Sequence, residues 1–248
     1  MPSDQLLALS RVYDDPKSIH AVANTITSSF AKDTVIQWLR PLADPWSVTD
    51  LNTSKWQYRR VQRAVAEGMV LRSLAVREIR QKLHKDGEVY EHDAGAVALL
   101  YPPRGRVRWA LGRMLLSWKL WFLDMVRPVY EKGGNEQRLQ KLMDAHDRVI
   151  TDVQQKYGLQ NLWYLEVIAV HPRLQGLGLG KKAMRSVLEN TNDDPVILEC
   201  TRRGNVAFYE RMGFEVVEEV ELMEGGAAVK LWFMLRQGSR KKTNFTVC

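Results

Sequence analysis

The stretch WYLEVIAVHPRLQGLGLGKKAMRSV, residues 163–187, runs from an apolar extended segment through a glycine-dense turn into a basic amphipathic segment. Val167, Ile168 and Val170 are β-branched, and Pro172 disfavours helical geometry at His171, so the spacing predicts a strand that ends there. Gly176, Gly178 and Gly180 lack a Cβ, so their backbone can take unusual dihedrals, approach a ligand closely and turn N–H groups toward it. Lys181, Lys182, Ala183, Met184, Val187 and Leu188 then supply a helix whose positive dipole end lies at those glycines. Strand, anion cradle and helix follow in that order, and the anion best suited to them is a phosphate ester.

Glycine loops serve several nucleotide folds. A Walker loop requires Gly where Gln175 stands and Ser or Thr where Lys182 stands, so that reading fails twice. A dinucleotide fingerprint can be drawn through Gly178, Gly180 and Ala183, with Glu199 at the end of the next strand. Such a unit usually opens a domain, whereas here only a short remainder of chain follows.

A third reading fits the residues better. Gln175-Gly-Leu-Gly-Leu-Gly180 is a Q-x-x-G-x-G sequence after a V-x-P strand end, and it resembles the coenzyme A pyrophosphate loop of the GNAT superfamily of N-acetyltransferases. Downstream, Asn205-Val-Ala-Phe-Tyr-Glu-Arg-Met-Gly-Phe214 is similar to that family's second signature, N-x-x-F-Y-E-[KR]-x-G-F. Two signatures in the right order are far more specific than either alone. From about Val196 to Arg236 the chain resembles in particular puromycin N-acetyltransferase and its relatives.

The resemblance implies an α/β fold of GNAT type. This is a mixed, mostly antiparallel twisted sheet with a splayed central parallel strand pair, flanked by helices, with a helical insertion at about 105–158 before the coenzyme-binding strand. It implies one domain over residues 1–237, followed by a basic, disordered tail at 238–248. It implies acetyl-CoA as cosubstrate, held by main-chain groups of Ile168, Ala169 and Val170, with Gln175, Gly176, Leu177, Gly178, Leu179, Gly180 and Lys181 around the pyrophosphate and Asn205 and Phe208 along the arm. Tyr209 matches the tyrosine that protonates the departing coenzyme sulfur. Without the surrounding motif it reads as an aromatic packed beside Phe208. Glu166, in the strand beside the thioester, is placed first as proton acceptor for the amine, with Glu199 in the adjoining strand as the alternative. The activity implied is acetyl transfer to the primary amine of a small-molecule acceptor. A noncatalytic acetyl-CoA-binding sensor or partner module is the second reading, and a nicotinamide-dependent oxidoreductase a distant third.

The rest of the composition is compatible with this. The chain has 248 residues, 45% of them hydrophobic, enough for one substantial core. A net charge of +7 suits an anionic cofactor; it also suits nucleic acid, but no helix-turn-helix, zinc or RNA-binding signature accompanies it. Two cysteines, Cys200 and Cys248, allow neither a disulfide framework nor a four-cysteine metal site, so no metal is expected and a reducing compartment is, the cytoplasm or also the nucleus. The first residues are acidic and lack the apolar core of a signal sequence. Trp109 to Val126 is interrupted by Arg113, Lys119 and Asp124, which argues against a membrane span and for an amphipathic helix packed on the core.

Elsewhere, Ser10 to Tyr13 reads as a strand closed by Asp14-Asp15-Pro16, and Ser18 begins a helix through Ile19, Val22, Ile26 and Phe30. Phe30 to Pro41 resembles the family's first helix and acceptor-side loop; alternatively it is plain packing around Trp38 and Leu39. Lys55 to Lys85 has helical periodicity with Val61, Val65, Val70, Leu74 and Ile79 on one side and Gly68 as a candidate interruption, Glu88 to Tyr90 reads as a strand stub, and Ala94 to Pro103 as a buried strand. Arg106 to Tyr130 and Asn135 to Tyr157 form two helices joined around Gly133-Gly134, with His146 as a packed or surface histidine. Pro195 to Thr201, Phe214 to Leu222 and Val229 to Leu235 read as strands, the last two forming a hairpin.

Overall fold

The computed structural model describes residues 9–42, 46–47, 50–74, 95–103, 111–129 and 133–238. Chain order is β1 (Ser10–Val12), α1 (Pro16–Phe30), α2 (Thr34–Leu39), α3 (Leu51–Glu67), β2 (Met69–Leu74), β3 (Gly95–Tyr101), α4 (Leu111–Val126), α5 (Glu136–Tyr157), β4 (Trp163–Val170), a 3₁₀ turn (Pro172–Leu174), α6 (Leu179–Asn190), β5 (Val196–Cys200), α7 (Arg203–Glu210), β6 (Glu215–Glu224) and β7 (Ala227–Arg236). The strands form a seven-stranded sheet in the order β1-β2-β3-β4-β5-β7-β6. Every neighbouring pair is antiparallel except β4 with β5. The mostly antiparallel sheet with one central parallel pair is as the sequence implied, and it is not the doubly wound parallel sheet of a dinucleotide-binding fold.

Helix boundaries follow local chemistry. Pro16 occupies the first turn of α1, where a missing N–H costs nothing, and Asp15 caps it by accepting from the Ser18 N–H at 2.8 Å. The residues expected to close a strand therefore open the helix, two positions earlier than Ser18. Asn135 caps α5, and Gly158 ends it in the left-handed conformation.

One expected helix is split. The helical pattern read over Lys55 to Lys85 breaks at Gly68, the candidate interruption; Met69–Leu74 beyond it is a strand and not further helix, so Val70 and Leu74 belong to β2. Val70 is fully buried on the sheet. A Cβ at Gly68 would stand 2.4 Å from the Leu100 carbonyl oxygen, so only glycine lets the chain turn this close to β3. The expected remainder of that helix, the stub at Glu88 to Tyr90 and the tail from residue 239 lie outside the described residues.

Packing divides the sheet unevenly. On one face a single apolar cluster is continuous from Leu71 of β2 to Met234 of β7 beneath Ala183, Met184 and Val187 of α6. On the other face there are two clusters. One packs α1, α3 and α4 on β2, β3 and β4, through Ile19, Val61, Leu116 and Val97; the other packs α2 and α5 on β5, β6 and β7, through Trp38, Val149, Ile197 and Phe233. Helix α4 docks through Leu116 and Leu120, while Trp118 and Trp121 on its outer side are exposed. None of the described helices is long and apolar enough to cross a membrane.

Candidate active site

The parallel pair is short. Trp163, Tyr164 and Leu165 pair with Val196, Ile197 and Leu198, after which β4 and β5 diverge. The break coincides with a β-bulge: Leu99 pairs with Val167 and Leu100 with Leu165, leaving Glu166 as the extra residue of β4. The bulge shifts which residues face which layer. Trp163 and Leu165 before it, and Ile168 and Val170 after it, face the continuous cluster under α6, whereas Val167 and Ala169 face the cluster around Ile19 and Val61. A strand that alternates strictly would have kept 163, 165, 167 and 169 on one side.

A cavity of about 670 Å³ opens from this fork. Its walls include Glu166, Ile168, Ala169 and Val170 of β4, Gln175, Gly176, Gly178, Leu179, Gly180 and Lys181 of the turn and α6, Glu199 and Cys200 of β5, and Asn205, Phe208 and Tyr209 of α7. Apart from Leu177, which is exposed, every residue named from the sequence for cosubstrate or chemistry thus lines one cavity.

At the turn, Gly176 and Gly178 have φ of +82° and +74°, a region that side chains with a Cβ enter at a cost. Gly178 is the N-cap of α6 and no side chain caps that end, so the first amides of the helix keep donors for an outside acceptor. Gly180 differs from the expectation. It sits inside α6 without a positive φ, and a Cβ there would meet the Phe208 ring at 3.8 Å. A Cβ would fit there at ordinary contact distance, so neither an unusual dihedral nor crowding by the protein requires glycine at this position.

Gln175 donates from Nε2 to the Val170 carbonyl at 3.0 Å, and Ser29 donates to the same oxygen at 3.1 Å. That acceptor at the end of β4 is therefore already shared between the turn and α1. Lys181 is exposed at the start of α6, and Arg211 joins the cavity wall from the far end of α7. Arg211 is the last position before Met212 in the second motif, and its basic class was the only signal for it.

Tyr209 is 9% exposed, with its ring edge-on to Phe208 and Phe214. Burial holds its phenol well above the ordinary tyrosine range, with a smaller push from the nearby Cys200, so the hydroxyl stays protonated and able to donate. Asn205 is exposed on the first turn of α7. Cys200 is buried and donates its thiol to the Arg202 carbonyl at 3.1 Å, and burial pushes its pKa up.

Both carboxylates at the fork are occupied. Arg60 of α3 donates to Glu166 Oε1 through Nε at 3.2 Å and Nη2 at 2.7 Å. Glu199 Oε1 is 2.5 Å from His146 Nδ1 and accepts from the Tyr164 hydroxyl at 3.4 Å. His146 is therefore a packed histidine, but one that is hydrogen-bonded to a residue of the cavity wall. These polar groups lie between the two apolar clusters of the sheet's second face, each of which packs one of the tyrosines, Tyr101 and Tyr164, at the border.

The loop from Phe30 divides in role. Phe30 and Asp33 line the cavity. Asp33 is 3% exposed, caps α2 and accepts from Thr201 Oγ1 at 2.6 Å, tying that loop to the end of β5. Trp38 is core, its Nε1 donating to the Ala227 carbonyl at 3.2 Å. Among the described residues no group of three or more His, Cys, Asp or Glu is placed to hold a metal ion.

Residues 143–216 match the family profile described as acetyltransferase (GNAT) domain. Solved structures similar to the whole chain include a polyamine N-acetyltransferase from Drosophila melanogaster (12% identity, TM-score 0.56, 92% of this chain and 99% of that one). Arylalkylamine N-acetyltransferase 2 from Aedes aegypti is another (13% identity, TM-score 0.56, 93% and 99%). A third is a Corynebacterium glutamicum protein described as histone acetyltransferase and related acetyltransferase (14% identity, TM-score 0.55, 95% and 99%). At such identities the likeness is one of fold.

Proposed function

We propose that the chain, which carries a GNAT acetyltransferase domain over residues 143–216, is an acetyl-CoA-dependent N-acetyltransferase acting on the primary amine of a small molecule. The observation that carries this reading is the single cavity that joins an uncapped helix terminus behind two positive-φ glycines to a bulged, splayed strand pair. The turn at 175–181 suits a pyrophosphate. The edge of β4 left unpaired beyond Leu165 suits an extended pantetheine arm, which would add to it as a strand does. The thioester then comes to the fork, within reach of Tyr209 and the two carboxylates. Solved structures of similar fold described as polyamine and arylalkylamine N-acetyltransferases, and the likeness of Val196 to Arg236 to puromycin N-acetyltransferases, support a small amine as acceptor.

In the reaction, a fork carboxylate, Glu166 or Glu199, takes a proton from the ammonium form of the acceptor. The neutral amine attacks the thioester carbonyl carbon. The C–N bond forms, the C–S bond breaks, Tyr209 gives its phenolic proton to the departing thiolate, and the second proton shed by the nitrogen as it becomes an amide restores the Tyr209 hydroxyl. Phe208 and Asn205 flank the arm. The domain proposed spans residues 1–237, with α4 and α5 as an insertion between β3 and β4.

The test is calorimetry of the purified protein with acetyl-CoA, followed by release of free thiol in a screen of primary amines. Binding in the micromolar range and turnover of at least one amine are expected. Tyr209→Phe should keep acetyl-CoA binding and lower kcat by about 100-fold. Binding with no turnover by any amine would favour the noncatalytic sensor instead, and no binding at all would end both.

A further inference from the structure

The two fork carboxylates are held in different ways, and the difference separates their roles. Glu166 gives Oε1 to the Arg60 guanidinium, with the Tyr101 hydroxyl beside the carboxylate, and its second oxygen, Oε2, is buried with no hydrogen-bond partner among the described residues. Glu199, which lines the cavity as Glu166 does, gives Oε1 to His146 and Tyr164 in place of a guanidinium, and its Oε2 has no hydrogen bond among the described residues. His146 lies on α5, and its ring meets Tyr164 edge-on at 4.7 Å between centroids. A helix inserted between β3 and β4 thus reaches across the second face of the sheet to grip a carboxylate on β5.

We propose that Glu199 is the group that takes the acceptor's proton, that His146 of the inserted helix positions it together with Tyr164, and that Glu166 is a charge-compensated partner of Arg60. This rests on the acetyl-transfer reading and specifies its proton acceptor. The ammonium proton passes to Glu199 Oε2 while Oε1 stays anchored, so the carboxylate need not swing to accept it. The bland alternative is that His146 and Glu199 are only a structural ion pair between α5 and the sheet.

The groups facing His146 fix how the pair responds to pH. They are Glu199 from β5, Tyr164 and Glu166 from β4, and Asp147 on its own helix; Arg60 from α3 and Tyr101 from β3 face the adjoining carboxylate. Burial lowers the His146 pKa, but the hydrogen bond and charge of Glu199 outweigh it and the net direction is upward from 6.5. Both tyrosines are held above their ordinary range by burial and remain neutral donors. A histidine whose folded pKa is raised stabilises the fold fully below the unfolded value, and this stabilisation fades as pH rises through the folded value.

The experiment compares Glu199→Gln, Glu166→Gln, His146→Ala and His146→Asn with the wild type, using the fastest amine from the thiol-release screen. Glu199→Gln should lower kcat/KM for the amine about 100-fold with acetyl-CoA affinity kept. Glu166→Gln should cost less than a tenth of that. His146→Ala should lower kcat roughly tenfold and shift the acid limb of the pH profile, and His146→Asn, whose amide can replace the Nδ1 donor, should recover most of the loss. Histidine NMR titration of Glu199→Gln, which needs no turnover, should show the His146 midpoint falling. The melting-temperature loss of His146→Ala should be larger at pH 6 than at pH 9.

Full activity and an unchanged pH profile in Glu199→Gln would overturn the assignment while leaving acetyl transfer intact. So would a larger loss in Glu166→Gln than in Glu199→Gln. Equal, pH-independent losses in both His146 variants with lowered melting temperature would reduce His146 to a structural role. Failure of the wild type to bind acetyl-CoA would instead overturn the acetyl-transfer reading and this inference with it.

Discussion

Among single residues, the glycines of the turn make the sharpest case, because the three that look alike in sequence differ in structure. Gly176 and Gly178 lie at positive φ with nothing within 4 Å of a Cβ, so space is not what selects glycine there; backbone conformation is. A side chain at Gly178 would cost about 1–2 kcal/mol in that conformation or tip the backbone out of it and turn the first amides of α6 away from the cavity. Gly178→Val should therefore raise the KM for acetyl-CoA at least about tenfold while the rest of the protein stays folded. Gly180→Ala, in helical geometry with a Cβ at ordinary contact distance from Phe208, should raise it less. Initial rates at varied acetyl-CoA decide this, and an equal effect at both positions would mean that crowding, not amide orientation, governs the loop.

At the level of elements, sequence legibility follows the range of the interactions involved. Strand β4, its turn and α6 were readable because a β-branched run, a proline and close-set glycines each act within a few residues. The hairpin of β6 and β7 was readable because Gly225-Gly226 breaks two alternating runs. Strand β2 was not, because Val70 and Leu74, four residues apart like Val61 and Val65, read as further members of the same helical stripe although the step between the pairs is five. Gly68 itself marks a candidate break in sequence, but its approach to the Leu100 carbonyl, which turns the chain into a strand there, is a contact that no local pattern announces. The same limit applies to the site. Arg60 meets Glu166 across 106 residues, and His146 meets Glu199 across 53, so neither partner was legible although each carboxylate was singled out. If the close approach at Gly68 is what terminates the helix, Gly68→Ala must push β2 away from β3. It should lower stability by about 2 kcal/mol or more in denaturant titration; a loss below about 0.5 kcal/mol, the scale of an unconstrained surface change, would show that the turn has room to yield.

For the molecule as a whole, the sheet is two halves joined at a narrow place. β1 to β4 and β5 to β7 share only the three-residue parallel pairing of 163–165 with 196–198, and on one face the core is split into separate clusters on either side of the polar fork. The halves are tied further by the continuous cluster under α6, by the Tyr164 hydroxyl on Glu199, and by hydrogen bonds of Lys32, Asp33 and Thr34 to Thr201 and Arg202. A ligand seated from the 175–181 turn to the fork would touch β4, α6, β5 and α7 at once, adding contacts across the seam that the free protein lacks. Binding to the folded state alone contributes about 2.7 kcal/mol at a hundredfold excess over Kd, and a chain of this size gains roughly 2–4 °C per kcal/mol. Saturating acetyl-CoA should thus raise the melting temperature by roughly 5–10 °C. In Gly178→Val the shift should shrink at the same ligand concentration, because the anchoring end of the ligand is lost. A dinucleotide such as NADH, offered equally, should give far less, since the mostly antiparallel sheet is not the doubly wound one that receives it. A shift under about 2 °C with acetyl-CoA, or a larger one with the dinucleotide, would mean that the fork is not where the cosubstrate lies.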